Sequence, residues 1–450
     1  MQKKNTLFAH PVSYILFAIY SLPLIASSEF TPQIMIKQDL VSNATATLDE
    51  NGQTTTIAPG FRYRNTQRRS QLDVNYGYMA QFYSGLSSED TEHHNLSLLY
   101  DFTHIPDHWK TQFNGNVRQI SSGADGIQSF NQVLNSGNTK ELKTYGIVTT
   151  IDNEFKQTLN LETQLLADFA DFENAENTDS VGLKLVLDNK ASQQKLYWNT
   201  SLSHRQSNSG EDTTQLNILE LGLNYRFNMH YTGYINTQMY DTDNEVLNEA
   251  STLLGLNWQP DKNNSINAGF GFRGDTTQYS LSSKHTRKRL SLSVNYSENI
   301  TSARSELLQQ GADESEIINT FQTLSITPVL QKKGVINLTL IGRKTDVSIA
   351  FSSQKRSISN STSEDEQTDA LSLSLARRLS IKSTTTFRYQ LQKSKRAEQN
   401  DITYVQLAYN RTISKNINMT ALLSDSRQQS DRVENEYIQK ILGISLTATF

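Results

Sequence analysis

The fold of this chain is decided by its last stretch, YIQKILGISLTATF at positions 437–450, in which apolar and polar residues alternate. Successive side chains of a β-strand point to opposite faces. One face of this segment is therefore apolar and the other polar, with only Lys440 and Ile441 breaking the rule. The apolar face comprises Ile438, Leu442, Ile444, Leu446, Ala448 and Phe450. The pattern predicts a strand that has hydrocarbon on one side and water on the other.

A chain that closes on such a strand, with an aromatic residue at its end, resembles the bacterial outer-membrane β-barrels. The resemblance implies that Phe450, together with Leu446, Ile444 and Leu442, forms the signal that the barrel-assembly machinery reads. It also implies that the protein lies in the outer membrane of a Gram-negative bacterium, surrounded by outer-membrane lipid and lipopolysaccharide.

The amino-terminal segment is typical of a secretory signal peptide. Two lysines precede a mostly apolar run over positions 12–25, and small residues stand directly before Glu29. A membrane anchor is the alternative, but Pro23 interrupts the run, which is also shorter than the roughly 20 residues that a spanning helix needs. We therefore divide the chain into a signal peptide at 1–28 and an outer-membrane barrel at 29–450.

The composition suits a barrel better than a helical membrane protein. Only 36% of the residues are hydrophobic, and the mean hydropathy is −0.54, as expected where alternate residues contact lipid. No second long apolar segment follows Glu29, which excludes spanning helices. The net charge of −4 gives no sign of nucleic-acid binding. The lack of cysteine excludes disulfides and a lipoprotein anchor.

The alternation recurs along the whole chain in segments of about ten residues, which is the sequence pattern of transmembrane β-strands. Clear examples lie at 72–82, 96–102, 109–118, 219–227, 266–272, 290–296, 371–375 and 405–409. We predict an all-β fold, a transmembrane antiparallel up-and-down β-barrel of about 22 strands, with 18 to 24 compatible with the pattern.

The connections also alternate in length. Short polar turns such as 65–70 and 105–108 are followed by longer loops such as 84–92, 121–139 and 204–213. This asymmetry is typical of barrels with short periplasmic turns and longer extracellular loops.

One insert departs from the strand pattern. Apolar residues within 302–319 lie at roughly helical spacing, with acidic residues between them. We predict a short helix that lies over the barrel mouth or inside the lumen, and a long loop is the alternative.

No constellation of residues indicates catalysis, a cofactor or a metal. The adjacent His93 and His94 would point to opposite faces of a strand, and His104 and His108 alone are too few for a catalytic zinc site. The hydroxyl groups are explained by polar strand positions, and no glycine-rich phosphate loop is present. We therefore expect a protein that is not an enzyme and carries no cofactor or metal.

The predicted lumen is the more informative surface. By strand register, ten charged residues point inward among asparagine, glutamine, serine and threonine. They are Asp73, Asp101, Lys110, Arg118, Glu162, Lys184, Glu220, Arg226, Arg273 and Arg388. A polar wall with charges of both signs suits neutral hydrated solutes such as sugars, whereas a ring of one sign would indicate ion selectivity. Any barrel lumen must be polar, so the pattern alone does not establish a sugar channel.

Several segments resemble the outer-membrane barrel proteins associated with PEP-CTERM and exopolysaccharide gene clusters. The resemblance is carried by 57–64 with 72–76, by 329–333 with 341–351, and by the closing segment 437–450. It implies a role in polysaccharide secretion or surface assembly, with polysaccharide or export-complex proteins as partners.

Three functions therefore remain open at this point. The first is a channel or component for polysaccharide export or surface assembly. The second is a general or sugar-permeable diffusion porin. The third is a structural or assembly barrel that transports nothing, its lumen filled by side chains or by the segment at 302–319.

Overall fold

A computed structural model describes the chain over residues 27–45, 49–86, 90–121, 139–155, 158–173, 176–189, 195–242, 247–302, 326–357, 365–395, 399–432 and 435–450. The predicted signal peptide lies outside these residues except for its last two positions, and the helix predicted at 302–319 lies outside them after Ser302.

The described residues form 22 strands, numbered here in chain order. They are β1 Ser27–Thr45, β2 Asp49–Thr66, β3 Ser70–Ser84, β4 Thr91–Ile105, β5 Trp109–Ser121, β6 Thr139–Phe155, β7 Leu159–Phe172, β8 Thr178–Asp188, β9 Leu196–Ser209, β10 Asp212–Arg226, β11 Tyr231–Thr242, β12 Ser251–Asp261, β13 Asn264–Arg273, β14 Thr276–Arg287, β15 Leu290–Thr301, β16 Val329–Ile341, β17 Thr345–Ser357, β18 Glu366–Ser380, β19 Ser383–Lys395, β20 Gln399–Ser414, β21 Ile417–Ser430 and β22 Tyr437–Thr449.

The strands form one closed antiparallel barrel. Each strand pairs with its neighbours in the sequence, and β1 pairs with both β2 and β22. Closure leaves no unpaired sheet edge, which is the condition for a β-structure to cross a membrane. The prediction of an up-and-down barrel of about 22 strands is confirmed. Within the described residues, no helix has the length and apolar character needed to cross a membrane.

The two ends of the barrel differ in their connections. At the end that holds both termini, turns range from two residues (262–263) to seven (189–195). At the opposite end, connections reach 27 residues (302–328). Short turns face the periplasm in outer-membrane barrels, so the end with the termini is the periplasmic end, as predicted.

One expected loop is a strand pair instead. The segment 204–213 was expected to be a long extracellular loop, but β9 continues to Ser209 and β10 begins at Asp212. Gly210 makes the tight turn possible because its φ of +57° lies in the left-handed region. The polar residues that suggested a loop are strand residues at the extracellular end.

The two faces of the sheet differ in the exposure of their apolar residues and in whether side chains from separate strands contact one another. Apolar residues such as Leu442 and Leu423 are more than half exposed on one face, as suits contact with lipid. On the other face, Arg205 of β9 reaches Asp168 of β7 across the intervening strand β8, at 2.8 Å. Side chains converge on the concave side of a barrel, so this second face is the inner wall.

The two residues that break the alternation of β22, Lys440 and Ile441, both lie near the extracellular end of the strand. Lys440 points outward beside Asp425 of β21, close to the extracellular end where the outer wall becomes charged. Ile441 points inward and packs on Val41 of β1, and both are buried. A second small apolar cluster, at the extracellular end, joins Tyr240, Leu247 and Ile300.

Candidate functional site: the inner wall

The strand register places all ten charged residues that were predicted to line the lumen on the inner wall. They are distributed over eight strands rather than gathered in one cluster: β3 (Asp73), β4 (Asp101), β5 (Lys110, Arg118), β7 (Glu162), β8 (Lys184), β10 (Glu220, Arg226), β13 (Arg273) and β19 (Arg388). Their contact with a solute stays a prediction.

Asp73 and Asp101 lie near the periplasmic mouth, close to the turns at 67–69 and 106–108. Asp73 accepts hydrogen bonds from Arg62 and Arg64 of β2, with the shortest contacts at 2.8 Å. Asp101 on the neighbouring strand accepts a bond of 2.8 Å from the Gln112 amide. The arginines of β2 were missed by sequence reasoning, although their alternation with Phe61 and Tyr63 could have assigned them to the inner face. Together these residues form a mixed-charge cluster at the periplasmic mouth.

Two inward carboxylates are held by neutral neighbours. Glu220 accepts from Gln238 at 2.6 Å and from Ser201 at 2.9 Å. Glu162 accepts from Gln164 at 2.6 Å. Amide and hydroxyl donors therefore fix the orientation of these carboxylates on the wall.

Arg273 is the exception among the ten because it is buried. Only 5% of its surface is exposed, and the guanidinium lies 5.2 Å from the ring centre of Tyr240. Neighbouring positions are also buried, and the Ser251 hydroxyl donates to Gln278 there. Arg273 therefore belongs to the packed extracellular end of this part of the wall, away from the open lumen surface.

Further inward ion pairs lie towards the extracellular end. Arg205 donates both to Asp168 at 2.8 Å and to Ser180 at 3.0 Å. Arg356 of β17 donates to Glu366 of β18 at 3.0 Å, and this pair is largely buried. In both pairs a positive and a negative side chain lie together, so this part of the described inner wall carries charges of both signs.

The extracellular half of the inner wall is closed on one side of the barrel. Over β19–β22 and β1 its polar side chains are almost fully buried, namely Asn43, Gln392, Ser394, Asn400, Ser426, Gln428, Tyr437 and Gln439. Amides bond to one another here, as in Gln439 to Asn43 at 3.2 Å across the seam. This wall is therefore packed rather than open to solute.

The periplasmic half of the opposite side is open. A cavity of about 330 Å³ lies against β9–β14. Its inward-facing polar lining consists of Tyr197, Asn199, Asn224, Thr232, Tyr234, Asn236, Asn257, Asn267 and Ser280. The Tyr234 hydroxyl donates to Asn267 Oδ1 at 2.7 Å, across strand β12. This surface, called here the asparagine–tyrosine pocket, carries no charged side chain.

The outer wall has an apolar belt with a charged border above it. The final strand exposes Leu442, Ile444, Leu446 and Phe450 on this side, and the Phe450 N–H donates to Pro32 O at 2.9 Å. At the extracellular end the outward residues become ion pairs, including Lys143–Glu141, Lys332–Glu298, Lys355–Asp365, Lys393–Asp401 and Arg427–Asp425. The reading of the final strand by the assembly machinery stays a prediction.

The neighbouring histidines His93 and His94 lie on opposite faces of β4. His93 points inward, and His94 points outward between Tyr76 and Tyr78. Over the described parts of the chain, no group of three or more histidine and carboxylate side chains is placed to hold a metal ion.

The sequence matches no protein-family model and no curated protein. Among solved structures, it is similar to the siderophore receptor PirA from Pseudomonas aeruginosa, at 10% identity and a TM-score of 0.52, over 94% of this chain and 81% of that chain. PirA from Acinetobacter baumannii is 8% identical with a TM-score of 0.54, covering 93% and 80% of the two chains. The FrpB iron transporter from Neisseria meningitidis is 7% identical with a TM-score of 0.52, covering 93% and 81%.

At these identities the likeness shows the fold, which is that of the large outer-membrane barrels. The sequence resemblance to the PEP-CTERM-associated barrels stays a prediction.

Proposed function

We propose that this protein is an outer-membrane channel for a hydrated, hydroxyl-rich solute, and that the solute is a polysaccharide exported to the cell surface. The observation that carries the proposal is the inner wall. Its open pocket is lined by amides and hydroxyls. Several charges elsewhere on the wall are paired with opposite ones, as in Arg64–Asp73, Arg205–Asp168 and Arg356–Glu366. Such a lining replaces the hydration of a neutral polar solute without selecting ions of one sign.

The similarity of this barrel to solved structures gives further support. The solved structures that share the fold are siderophore receptors and an iron transporter, which favours the movement of a solute across the outer membrane. The choice of polysaccharide as the solute rests on the sequence segments that resemble exopolysaccharide-associated barrels.

Conductance in planar bilayers tests the proposal. The reconstituted protein should conduct small ions, and neutral oligosaccharides should reduce the current. Ion conduction with little block by sugars would favour the rival function, a general diffusion porin.

The second rival is a barrel that transports nothing. A channel that stays closed and opens only after deletion of residues 302–319 would support that function and contradict ours. Accumulation of polysaccharide in the periplasm of a strain lacking the protein would support export.

The partners follow from the same proposal. We expect lipopolysaccharide to contact the outward ion pairs at the extracellular end, such as Lys355–Asp365 and Lys393–Asp401, since phosphate groups attract the lysines. We also expect the barrel-assembly machinery to recognise β22, and export-complex proteins to meet the periplasmic turns.

A further inference from the structure

We infer that the asparagine–tyrosine pocket is a binding site for a neutral sugar unit of the transported chain. This inference rests on the proposed function and adds the class of sugar and the place where it binds. The cavity of about 330 Å³ is of the size found for small-molecule sites, at their lower end.

The pocket is built from adjacent positions on neighbouring strands. One row of the inner wall runs through Asn224, Tyr234, Gly255, Gly269 and Ser280, which pair directly from β10 to β14. The rows on either side add asparagines and a threonine, namely Asn199, Asn236, Thr232, Asn257 and Asn267. The pocket is therefore a continuous patch of the wall rather than a chance gap between loops.

Two glycines give Tyr234 its position. A Cβ at Gly255 would overlap the Tyr234 ring and hydroxyl, and a Cβ at Gly269 would lie 2.7 Å from that hydroxyl. The side chain thus extends along the wall over β12 and ends at Asn267, 2.7 Å away. A tyrosine held along the wall can offer the free side of its ring to the lumen, next to the amides.

The chemistry of this surface matches a pyranose. The ring carbons of a sugar form an apolar face that can lie on an aromatic ring. Its hydroxyls both donate and accept hydrogen bonds, as asparagine amides and threonine hydroxyls do. Aromatic and amide groups at one site therefore recognise the two faces of one sugar residue.

The charge pattern selects a neutral sugar over an acidic one. The nearest inward charges on β10 are Glu220 and Arg226, and neither lines the pocket, although Arg226 pairs with Thr232 at the periplasmic edge of the pocket. A uronate carboxylate inside the pocket would lose hydration without a cation in the lining to pair with, which is unfavourable. Two other cavities against the described residues are charged, with Glu92, Glu141 and Asp171 around one, and Arg68, Arg69 and Lys110 around another.

The test is a binding measurement on the complete chain in detergent micelles. Saturation-transfer NMR with maltohexaose, a neutral probe, should show contact, with a dissociation constant on the order of 1 mM, since a transport site must release its solute. Tyr234→Ala should weaken binding about tenfold, because the aromatic surface is lost. Tyr225→Ala is the matched control, since this tyrosine lies on the outer face of β10 and is 45% exposed. Heat-modifiable migration on gels establishes that each variant is folded.

Gly255→Val provides a second variant that keeps Tyr234. Its side chain should displace the tyrosine and weaken maltohexaose binding to a similar extent. Hexagalacturonate, an acidic oligosaccharide of equal length, should bind more weakly than maltohexaose.

Equal binding of maltohexaose by the original chain and Tyr234→Ala, or tighter binding of hexagalacturonate, would overturn the inference. Conductance separates this result from the proposed function. Ion conduction without maltohexaose binding would refute the sugar site and support the channel. Tyr234-dependent binding without ion conduction would refute the channel and support the sugar site.

Discussion

Ile441 of the last strand packs directly against Val41 of the first strand, on the inner side of the seam that closes the barrel. Both side chains are buried, with 1% and 3% of their surfaces exposed. The apolar residue that interrupts the polar face of β22 therefore serves the junction of the two chain ends.

Shortening Ile441 should weaken the seam. We expect Ile441→Ala to lower the free energy of unfolding by about 2–5 kcal/mol, because a buried aliphatic side chain leaves a cavity. Urea titration of the barrel in lipid vesicles measures the change. Ile441→Val should cost only about 0.5–1.5 kcal/mol. An equal loss in both variants would contradict packing as the cause.

The pair Arg356–Glu366 should behave as a buried ion pair. Glu366→Leu alone is expected to cost about 3–5 kcal/mol, since it leaves a cation with little water around it. The double variant Arg356→Met with Glu366→Leu should recover most of this loss, because no unpaired charge remains. The comparison of single and double variants in urea measures the coupling. Additive losses would show that the two side chains do not interact.

A positive charge should be tolerated on only one face of β18. Leu371→Arg faces lipid and should cost about 2–4 kcal/mol in folding, whereas Ser372→Arg faces the lumen and should cost little. The two variants differ by one position and introduce the same side chain, so each controls for the other. Folding yield and urea stability in vesicles are the measurements. Equal tolerance at both positions would refute the assignment of the faces.

The charge of the periplasmic mouth should be adjustable at Asp73. Asp73→Asn leaves Arg62 and Arg64 without their carboxylate partner, so the channel should become more selective for anions. The reversal potential across a KCl gradient reports this shift. Asp425→Asn removes the same charge from the outer wall and should leave the potential unchanged. A similar shift in both variants would point to net charge rather than position.

We expect the Phe450 side chain to contribute more to assembly into the outer membrane than to the stability of the folded barrel. Phe450→Ala should reduce the amount of folded barrel in the outer-membrane fraction, since the terminal aromatic ring is part of the proposed assembly signal. Its backbone bond to Pro32 does not depend on the side chain, so unassisted folding into vesicles should be nearly unchanged. Heat-modifiable migration measures both. A comparable loss in cells and in vesicles would indicate a structural role instead.

Much of the fold could be predicted because the side-chain alternation of a strand is a local property. Once a strand is recognised, every second residue along it lies on the same face of the sheet. This rule assigned Asp73 and Arg388, which are far apart in the sequence, to the same inner wall. The same reasoning failed at 204–213, where polar residues suggested a loop but Gly210 allows a tight turn between two strands.

The contacts within the inner wall could not be predicted in this way. Alternation assigns Tyr234 to the lumen but does not show that it crosses Gly255 to reach Asn267, since this depends on the pairing register of three strands. Burial could not be predicted either. Alternation places both Arg273 and Arg388 on the inner wall, but only Arg273 is buried and packs against Tyr240.

The sequence by itself determined the strand pattern, the apolar face and the polar wall, because each depends on neighbours along the chain. Only the tertiary structure decided which part of that wall is packed and which part is open. The reason is that closing the barrel brings side chains from separate strands to a shared concave surface, where volume and hydrogen-bond partners depend on residues far apart in the sequence.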